Sequence, residues 1–287
     1  MAGKFKAACI QLTAAPGVDA SLEKSLRLTR EAAAAGADFV ALPEFFCGLA
    51  TQGSRIVPAA LPEEKHPALA AFAALSREFG LSILLGSLGV VRPDGRIANR
   101  SYVVDPEGRV TARYDKIHLF DVNLGEGKNY RESEMIAPGA AAVVAATPWG
   151  GLGLTVCYDL RFPQLYRALA QAGATMLAVP AAFTRLTGEA HWHVLVRARA
   201  IENGAFVIAP CQTGTLSGGG ECFGHSLIVD PWGRVLADGG EAEGVVLAEI
   251  DPPAVALARS RIPSLSHDRA FTVSGAEPVK KAAVARI

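Results

Sequence analysis

Three residues of types used in acyl-transfer chemistry each follow an apolar stretch of the sequence. Cys157 ends the apolar segment 153–156 and precedes Pro163, a residue suited to the first turn of a helix. A cysteine near a helix N-terminus is partly exposed, and the helix dipole favours its thiolate. Cys157 is therefore a candidate nucleophile, and a structural core cysteine is the alternative that the local sequence leaves open.

A glutamate and a lysine end two other apolar stretches. Glu44 lies between Pro43 and Phe45, where burial would raise the pKa of its carboxyl group toward the range that a general base needs. Lys116 closes a predicted strand and stabilises an oxyanion or an anionic substrate if it points inward. A solvated or paired carboxylate and an exposed edge-strand lysine are the alternatives. Together, Cys157, Glu44 and Lys116 at three strand ends predict an acyl-transfer site.

Composition limits the class of protein that carries these residues. The chain has 287 residues, of which 50% are hydrophobic, and its mean hydropathy is +0.25. A chain this apolar buries a large core. Its 28 basic and 28 acidic residues cancel, which argues against a nucleic-acid partner. Because no apolar run reaches the roughly 18 residues of a membrane span, we expect no membrane partner either.

The cysteine count and the missing motifs bear on compartment and cofactors. The chain has five cysteines: Cys9, Cys47, Cys157, Cys211 and Cys222. The number is odd and no Cys-x-x-Cys occurs, so we expect free thiols and a reducing, cytoplasmic setting. Zinc-type spacings and nucleotide-binding glycine motifs are missing, and His191 and His193 stand two apart on a predicted helix, facing different sides. The sequence predicts no metal and no cofactor.

Helical and strand patterns alternate along the chain and predict a layered α/β protein. No linker divides the chain, so we predict one domain over residues 1–287, with a polar C-terminal tail from about residue 265. Ser21 is the predicted N-cap of the first helix. The predicted helices are 21–35, 67–79, 162–172, 189–203 and 254–261. The predicted strands are 6–12, 37–42, 81–91, 101–104, 109–116, 141–146, 153–156, 175–179, 205–210, 223–229 and 245–250.

One segment is echoed later in the chain. Residues 103–110 read V-V-D-P-E-G-R-V, and residues 228–235 read I-V-D-P-W-G-R-V. Both predict a strand, a turn and a second strand. The pair reflects either a common hairpin turn or two similar sheet halves packed face to face.

Three sequence blocks resemble the signature blocks of the nitrilase superfamily of carbon–nitrogen hydrolases. They are P-E-F-F around Glu44, Y-D-K-I-H-L-F around Lys116 and C-Y-D-L-R-F-P from Cys157, in matching order. The resemblance covers nearly the whole chain. It implies a four-layer α-β-β-α sandwich, usually paired with a second copy, so we expect a homodimer or a larger homo-oligomer.

The resemblance also implies roles for individual residues. Cys157 is the expected nucleophile, Glu44 the expected base, and Glu132 in N-Y-R-E-S the carboxylate that supports Lys116. Lys116 and the backbone N–H of Tyr158 are expected to hold the oxyanion of a reacting amide. A thioester on Cys157 would follow, with release of ammonia or an amine and then of a carboxylic acid, and without a cofactor.

Within the superfamily, the blocks are similar to the ω-amidase and deaminated-glutathione-amidase branch, which implies a small amide substrate bearing a carboxylate. Arg185 and Arg161 are candidate partners for that carboxylate, although an ion pair with Asp159 is the favoured interpretation of Arg161. Residues 211–220 suggest a flexible loop near the site. The other predicted substrate-binding residues are Phe45, Phe183 and His191, the last of which is equally interpreted as a packed helix histidine.

Other activities stay open. N-carbamoyl hydrolysis and aliphatic nitrilase activity use the same residues on other substrates. A catalytically silent scaffold of the same fold is the non-enzyme alternative, and the intact set Glu44, Lys116, Glu132 and Cys157 argues against it. A cysteine–histidine protease would need a histidine beside Cys157, for which His225 is the candidate.

Overall fold

The computed structural model describes residues 3–125 and 128–275, which form two large β-sheets, three two-stranded ribbons and five α-helices. The helices are α1 (Val18–Ala34), α2 (Pro67–Phe79), α3 (Pro163–Gln171), α4 (Arg185–Asn203) and α5 (Pro253–Arg261). The strands of the first half are β1 (Phe5–Gln11), β2 (Phe39–Ala41), β3 (Leu49–Gln52), β4 (Arg55–Pro58), β5 (Ala60–Leu61), β6 (Ser82–Val91), β7 (Ile97–Val104), β8 (Val110–Asp115), β9 (Asp121–Asn123), β10 (Asn129–Arg131) and β11 (Ile136–Ala137). Those of the second half are β12 (Val143–Thr147), β13 (Gly150–Leu154), β14 (Ala174–Ala178), β15 (Phe206–Ala209), β16 (Thr213–Thr215), β17 (Glu221–Phe223), β18 (Leu227–Val229), β19 (Val235–Asp238) and β20 (Gly244–Ile250).

The two large sheets share one plan. In the first, β1, β2 and β6 run parallel, the β7–β8 hairpin lies on one side and antiparallel β20 on the other. In the second, β13, β14 and β15 run parallel, flanked by the β18–β19 hairpin and antiparallel β12. The echoed segments 103–110 and 228–235 form the two corresponding hairpins. Both interpretations of the echo are therefore correct.

Alternation along the strands explains the four layers. On β1, Ala7 and Cys9 belong to the core between the two sheets, whereas Ala8 and Ile10 pack with the side chains of α1 and α2. Helices α3 and α4 pack against the second sheet. The order is thus helices, sheet, sheet, helices, which confirms the predicted α-β-β-α sandwich.

The ends of α2 agree with the sequence prediction, whereas the N-cap of α1 does not. Helix α2 begins at Pro67 and stops before Gly80, which has φ +67°, as predicted. Helix α1 begins at Val18, and its N-cap is Gly17 rather than Ser21. The Ser21 hydroxyl instead accepts from the Ala15 N–H at 2.9 Å from within the first turn, so the N-cap prediction was wrong.

Two segments near the sheet edges differ from the prediction. The predicted strand 223–229 is broken into β17 and β18, because Gly224 and His225 both have positive φ. The segment 211–220, predicted as a flexible loop, contains β16 and the turn that leads into β17, and Gln212 at its start is fully buried.

Helix α4 differs from the prediction at its start. It begins at Arg185, four residues before the predicted start at Glu189.

After α5 the chain returns to α3. A turn over Ser264–Ser266 brings the Ser264 carbonyl to the Arg167 guanidinium at 2.6 Å, and Arg167 also pairs with Asp268. Residues 267–275 form no helix or strand, and the rest of the predicted tail lies outside the described residues. That residues 1–287 act as one domain stays a prediction. No helix in the described ranges combines the length and the apolar composition needed to cross a membrane.

Candidate active site

The three predicted chemical groups meet in one pocket although they come from both sheets. Glu44 follows β2, Lys116 follows β8 and Cys157 follows β13, and all three line the same pocket. Each strand ends at the same rim of its sheet, so the face-to-face sheets bring the three side chains together.

Lys116 lies at the centre of the charged groups. Its Nζ is 2.9 Å from Glu44 Oε1 and 2.9 Å from Glu132 Oε2, and the residue is only 2% exposed. Glu132 also accepts the Phe120 N–H at 2.6 Å. Burial alone would lower the pKa of Lys116, but the carboxylates of Glu132 and Glu44 outweigh it and hold this pKa well above its ordinary value. Lys116 is thus a buried ammonium, and the edge-strand alternative was wrong.

Asn99 on β7 joins this array and was missed by the sequence analysis. Its Nδ2 donates to Glu44 Oε1 at 2.8 Å and to Glu132 Oε1 at 3.2 Å, so one amide links the two carboxylates. Its backbone carbonyl accepts the Lys116 N–H at 2.9 Å. No local feature of the sequence around Asn99 distinguishes it from an ordinary polar strand residue, because its partners are distant in sequence.

Glu44 is held by groups from three parts of the chain. Its Oε2 accepts the Ala182 N–H at 2.9 Å, and the next residue, Phe45, adopts φ +48°. The Phe45 N–H donates to Ser87 Oγ at 3.0 Å, and Gln212 Nε2 donates to the Glu44 carbonyl at 2.8 Å. These bonds stabilise a left-handed backbone that a phenylalanine would otherwise avoid.

Cys157 also has a left-handed backbone, with φ +48°. Its N–H donates to the Pro180 carbonyl at 2.9 Å, and it opens a 3-10 turn over Cys157–Arg161. Asp159 fixes the turn, because its Oδ2 accepts the Val156 N–H at 2.8 Å and the Tyr114 hydroxyl at 2.6 Å. A tight turn of this kind presents the thiol to the pocket.

The partners of Asp159 differ from the prediction. Its Oδ1 accepts the His118 N–H at 3.0 Å and lies 2.7 Å from His118 Nδ1. Arg161 forms no ion pair with Asp159. Its guanidinium instead lies 5.8 Å from the Tyr158 ring centre and 5.3 Å from that of Phe183. The favoured ion-pair interpretation of Arg161 was therefore wrong.

The surroundings of Cys157 disfavour its thiolate form. Burial raises the pKa of Cys157 well above its ordinary value, the Glu44 charge adds to the rise, and Lys116 only partly opposes it. The expectation of a partly exposed thiolate was wrong, because Cys157 is 8% exposed and α3 begins only at Pro163, after the 3-10 turn. A base beside the thiol, such as Glu44, therefore favours its reaction.

The pocket around the thiol is mainly apolar. Phe45 and Phe183 line it, in agreement with their predicted places. The other apolar lining residues include Leu49, Ile56, Phe120, Tyr130, Tyr158 and Leu216. A neighbouring groove shares Tyr130, Thr184, Gly220 and Glu221 with the pocket and continues outward.

Two predicted substrate-binding residues lie elsewhere. Arg185 lines the outer groove rather than the pocket and pairs with Glu241 at 3.0 Å. His191 is exposed on α4, with its Nδ1 3.3 Å from Arg161 Nη1. His225 is not among the residues that line the pocket and pairs with Asp238 at 2.8 Å, so the geometry does not support a cysteine–histidine protease.

The chain belongs to the carbon–nitrogen hydrolase family, whose model matches residues 6–260. It is an enzyme that hydrolyses carbon–nitrogen bonds, of the cysteine-dependent amidase type, as the resemblance implied. Similar proteins include the deaminated glutathione amidase of a Synechocystis strain, 40% identical over 270 residues, which are 92% of this chain and 97% of the relative. The omega-amidase NIT2 of Xenopus tropicalis is 33% identical over 91% of this chain and 93% of its own.

Solved structures show the same fold. The C. elegans NitFhit protein superposes with a TM-score of 0.84 at 33% identity, covering 94% of this chain but 66% of the longer NitFhit chain. Saccharomyces cerevisiae Nit3, a member of branch 10 of the nitrilase superfamily, has a TM-score of 0.79 at 29% identity, covering 91% of this chain and 95% of its own.

Removal of the Lys116 ammonium tests whether it stabilises the buried carboxylates of Glu44 and Glu132. We expect Lys116→Met to lower the free energy of unfolding by about 3–5 kcal/mol, because Glu44 and Glu132 are then buried with unmatched charge. Denaturant titration measures the change. As a control, Lys24→Met removes an exposed pair with Glu243 and should cost at most about 1 kcal/mol. A Lys116→Met/Glu132→Gln variant should recover part of the loss. A Lys116→Met variant as stable as the wild type would mean that the buried carboxylates do not depend on Lys116.

The charge on Glu44 has a separate effect on the thiol. Because this charge contributes to the raised pKa of Cys157, we expect Glu44→Gln to lower that pKa, so that thiolate forms at lower pH. The pH midpoint of Cys157 alkylation by iodoacetamide, located by mass spectrometry, should move downward. Glu221→Gln, in the same pocket, is the control. A midpoint that stays in place or moves upward in Glu44→Gln refutes this explanation.

Proposed function

We propose that the chain hydrolyses the amide bond of a small, carboxylate-bearing substrate through a thioester on Cys157, and that its substrate is of the deaminated-glutathione type. One observation carries the proposal: a buried thiol shares a pocket with the Glu44–Lys116–Glu132 array, and this pocket opens into a second groove. The names of the relatives point to the same substrate class.

The first half of the reaction forms the thioester. Glu44 takes the thiol proton, and Cys157 Sγ forms a bond to the amide carbon. The resulting oxyanion is held by Lys116 and by the backbone N–H of Tyr158, each worth about 3 kcal/mol in comparable sites. Within the described residues, the Tyr158 N–H donates to no protein acceptor, which leaves it available to the oxyanion. Collapse then breaks the carbon–nitrogen bond, and Glu44 returns its proton to the leaving amine.

The second half releases the acid. Glu44 takes a proton from water, and the water oxygen attacks the thioester carbon. The carbon–sulfur bond breaks, and the sulfur leaves as a thiol on receiving the proton from Glu44. The Ala182 N–H and Lys116 hold the Glu44 carboxylate in place through both halves. Glu132 keeps the Lys116 ammonium fixed for each oxyanion.

Arg161 is the proposed partner of the substrate carboxylate. Its guanidinium packs over the rings of Tyr158 and Phe183, which line the pocket. Within the part of the chain that the structure describes, it forms no ion pair, and its guanidinium has one hydrogen-bond partner, His191 Nδ1, at 3.3 Å. Arg185, by contrast, already faces Glu241. An arginine without a carboxylate partner binds an incoming carboxylate at the lower cost.

The second groove favours a leaving group larger than ammonia. It continues from the pocket past Tyr130 and Thr184 to the β16–β17 ribbon, where Gly220 forms part of its wall. A peptide-like amine fits such a groove, which supports deaminated glutathione over 2-oxoglutaramate. The omega-amidase reaction on 2-oxoglutaramate is the second candidate, supported by the relative of that name.

We also propose a homodimer in a reducing, cytoplasmic setting. Val194 and Ile201 lie exposed on α4, and Ile201 adjoins the β18–β19 turn that carries exposed Trp232. Leu257 on α5 continues this apolar surface. A second copy of the same surface would cover it, and sedimentation of the purified chain distinguishes dimer from monomer. All five cysteines are free thiols, which suits a reducing compartment.

A substrate panel tests the chemistry and the preference together. We expect turnover of deaminated glutathione to exceed that of 2-oxoglutaramate, an N-carbamoyl amino acid and an aliphatic nitrile. Cys157→Ala should lower kcat by about 10⁴-fold or more, whereas Cys9→Ala, whose thiol lies outside the pocket, should retain it. Product acid and amine are measured by mass spectrometry. Turnover of the carbamoyl compound or nitrile alone would reject the substrate class, and full activity of Cys157→Ala would reject the mechanism.

The role of Arg161 has its own test. We expect Arg161→Met to raise KM about 10- to 100-fold for a carboxylate-bearing amide, because a charge-assisted hydrogen bond is lost. The KM for a neutral amide of similar size should change little. Arg185→Met serves as the control, with both KM values close to those of the wild type. An equal rise for the charged and neutral amides would mean that Arg161 only supports the pocket wall.

A further inference from the structure

A second group of chemically active side chains lies at the surface, outside the pocket. His193 on α4, His225 between β17 and β18, and Asp238 at the end of β19 converge there. His193 Nε2 is 2.9 Å from Asp238 Oδ2, and His225 Nδ1 is 2.8 Å from Asp238 Oδ1. The three ligand atoms all lie within 4.8 Å of one another.

The backbone directs these side chains toward one point. His225 has φ +52°, and its N–H donates to the Gly240 carbonyl at 2.6 Å. The Gly240 N–H in turn donates to Asp238 Oδ1 at 2.9 Å. His191 faces elsewhere on α4, as the helical spacing predicted, so the partner of His193 is distant in sequence.

Two imidazoles and one carboxylate are typical ligands of zinc and of neighbouring transition metals. Magnesium and calcium, by contrast, favour oxygen ligands alone. Zinc bonds to such ligands measure about 2.0–2.1 Å, so tetrahedral ligand atoms lie about 3.3 Å apart. The three ligand atoms lie within 4.8 Å of one another, and the two imidazoles contact different oxygens of Asp238 at 2.9 and 2.8 Å. Small side-chain rotations would therefore bring one oxygen and both nitrogens to that spacing. The side chains are 37%, 24% and 34% exposed, so an ion can enter and water can complete its coordination.

We propose that His193, His225 and Asp238 form a binding site for a divalent transition-metal ion, with Zn²⁺ as its best occupant. The neutral imidazoles would bind through the nitrogens that now face Asp238, and any proton on these nitrogens would be released to solvent. The ion would connect α4 to the β17–β18 segment and to the end of β19.

This connection reaches the wall of the active-site pocket. The His225 ring stacks on Phe223, with 4.5 Å between ring centres. The Phe223 N–H donates to the Phe183 carbonyl at 2.9 Å, and Phe183 lines the pocket. The ion thus has a structural role beside the pocket and takes no part in the chemistry proposed for Cys157.

The binding experiment uses untagged Cys157→Ala protein, because the catalytic thiol and Glu44 would otherwise offer zinc a competing site. Calorimetric titration with ZnCl₂ should give one ion per chain. A further His193→Gln or Asp238→Asn substitution should weaken binding by about 100-fold or more, since each removes a ligand. His191→Gln, two residues away on the same helix, is the matched control and should bind like the parent.

Two further measurements separate ligand loss from misfolding. His225→Asn keeps a residue type that tolerates positive φ, and circular dichroism should show that it folds. Zinc should raise the melting temperature of the parent and of His191→Gln, but not of His193→Gln. Failure of the parent to bind zinc, or equal binding by His193→Gln and the parent, would overturn the proposal. Because the parent is already inactive, neither result depends on the proposed function.

Discussion

The site depends on one buried charge balance: a single ammonium, Lys116, between the carboxylates of Glu44 and Glu132. Neither the cation nor the anions would be stable alone at this depth, because burial penalises each charge. Their mutual contacts offset that penalty, and Asn99 supplies donors to both carboxylates. The rest of the fold serves to bring Cys157 to this array.

Backbone strain accompanies this arrangement. The described residues include three non-glycine positions with positive φ, and two of them, Phe45 and Cys157, adjoin or form the catalytic groups. Left-handed backbone costs an L-residue about 1–2 kcal/mol, so surrounding bonds must hold it. Ser87 and Gln212 do so at Phe45, and the Asp159 network does so at the Cys157 turn. The strain orients side chains that a regular strand would direct away from the pocket.

Local sequence was sufficient for most elements and for the principal site residues. Helix α2 follows from Pro67 and Gly80, and the paired hairpins follow from their repeated turn. Contacts between segments that are distant in sequence could not be predicted from local sequence. Glu241, which pairs with Arg185, is 56 residues away in sequence. The break between β17 and β18 likewise depends on the contact of His225 with Gly240.

The role of Asn99 could not be predicted from the local sequence either. An amide on a strand has no local signature of function, because its partners follow β2 and β8 or lie in a distant turn. Likewise, Asp159 was assigned to its neighbour Arg161, whereas the Tyr114 and His118 contacts come from the other sheet. Proximity along the chain was a poor guide wherever the two sheets meet.

The placement of Glu44 on one sheet and Cys157 on the other has a mechanical consequence. Any sliding of one sheet over the other changes the base-to-thiol separation directly, so the apolar layer between the sheets sets the catalytic alignment. Leu152 and Phe39 in that layer therefore constrain activity without touching a substrate. Laboratory evolution toward new amides should accordingly leave this layer intact and vary the turn between β16 and β17, where Leu216 and Gly220 line the pocket.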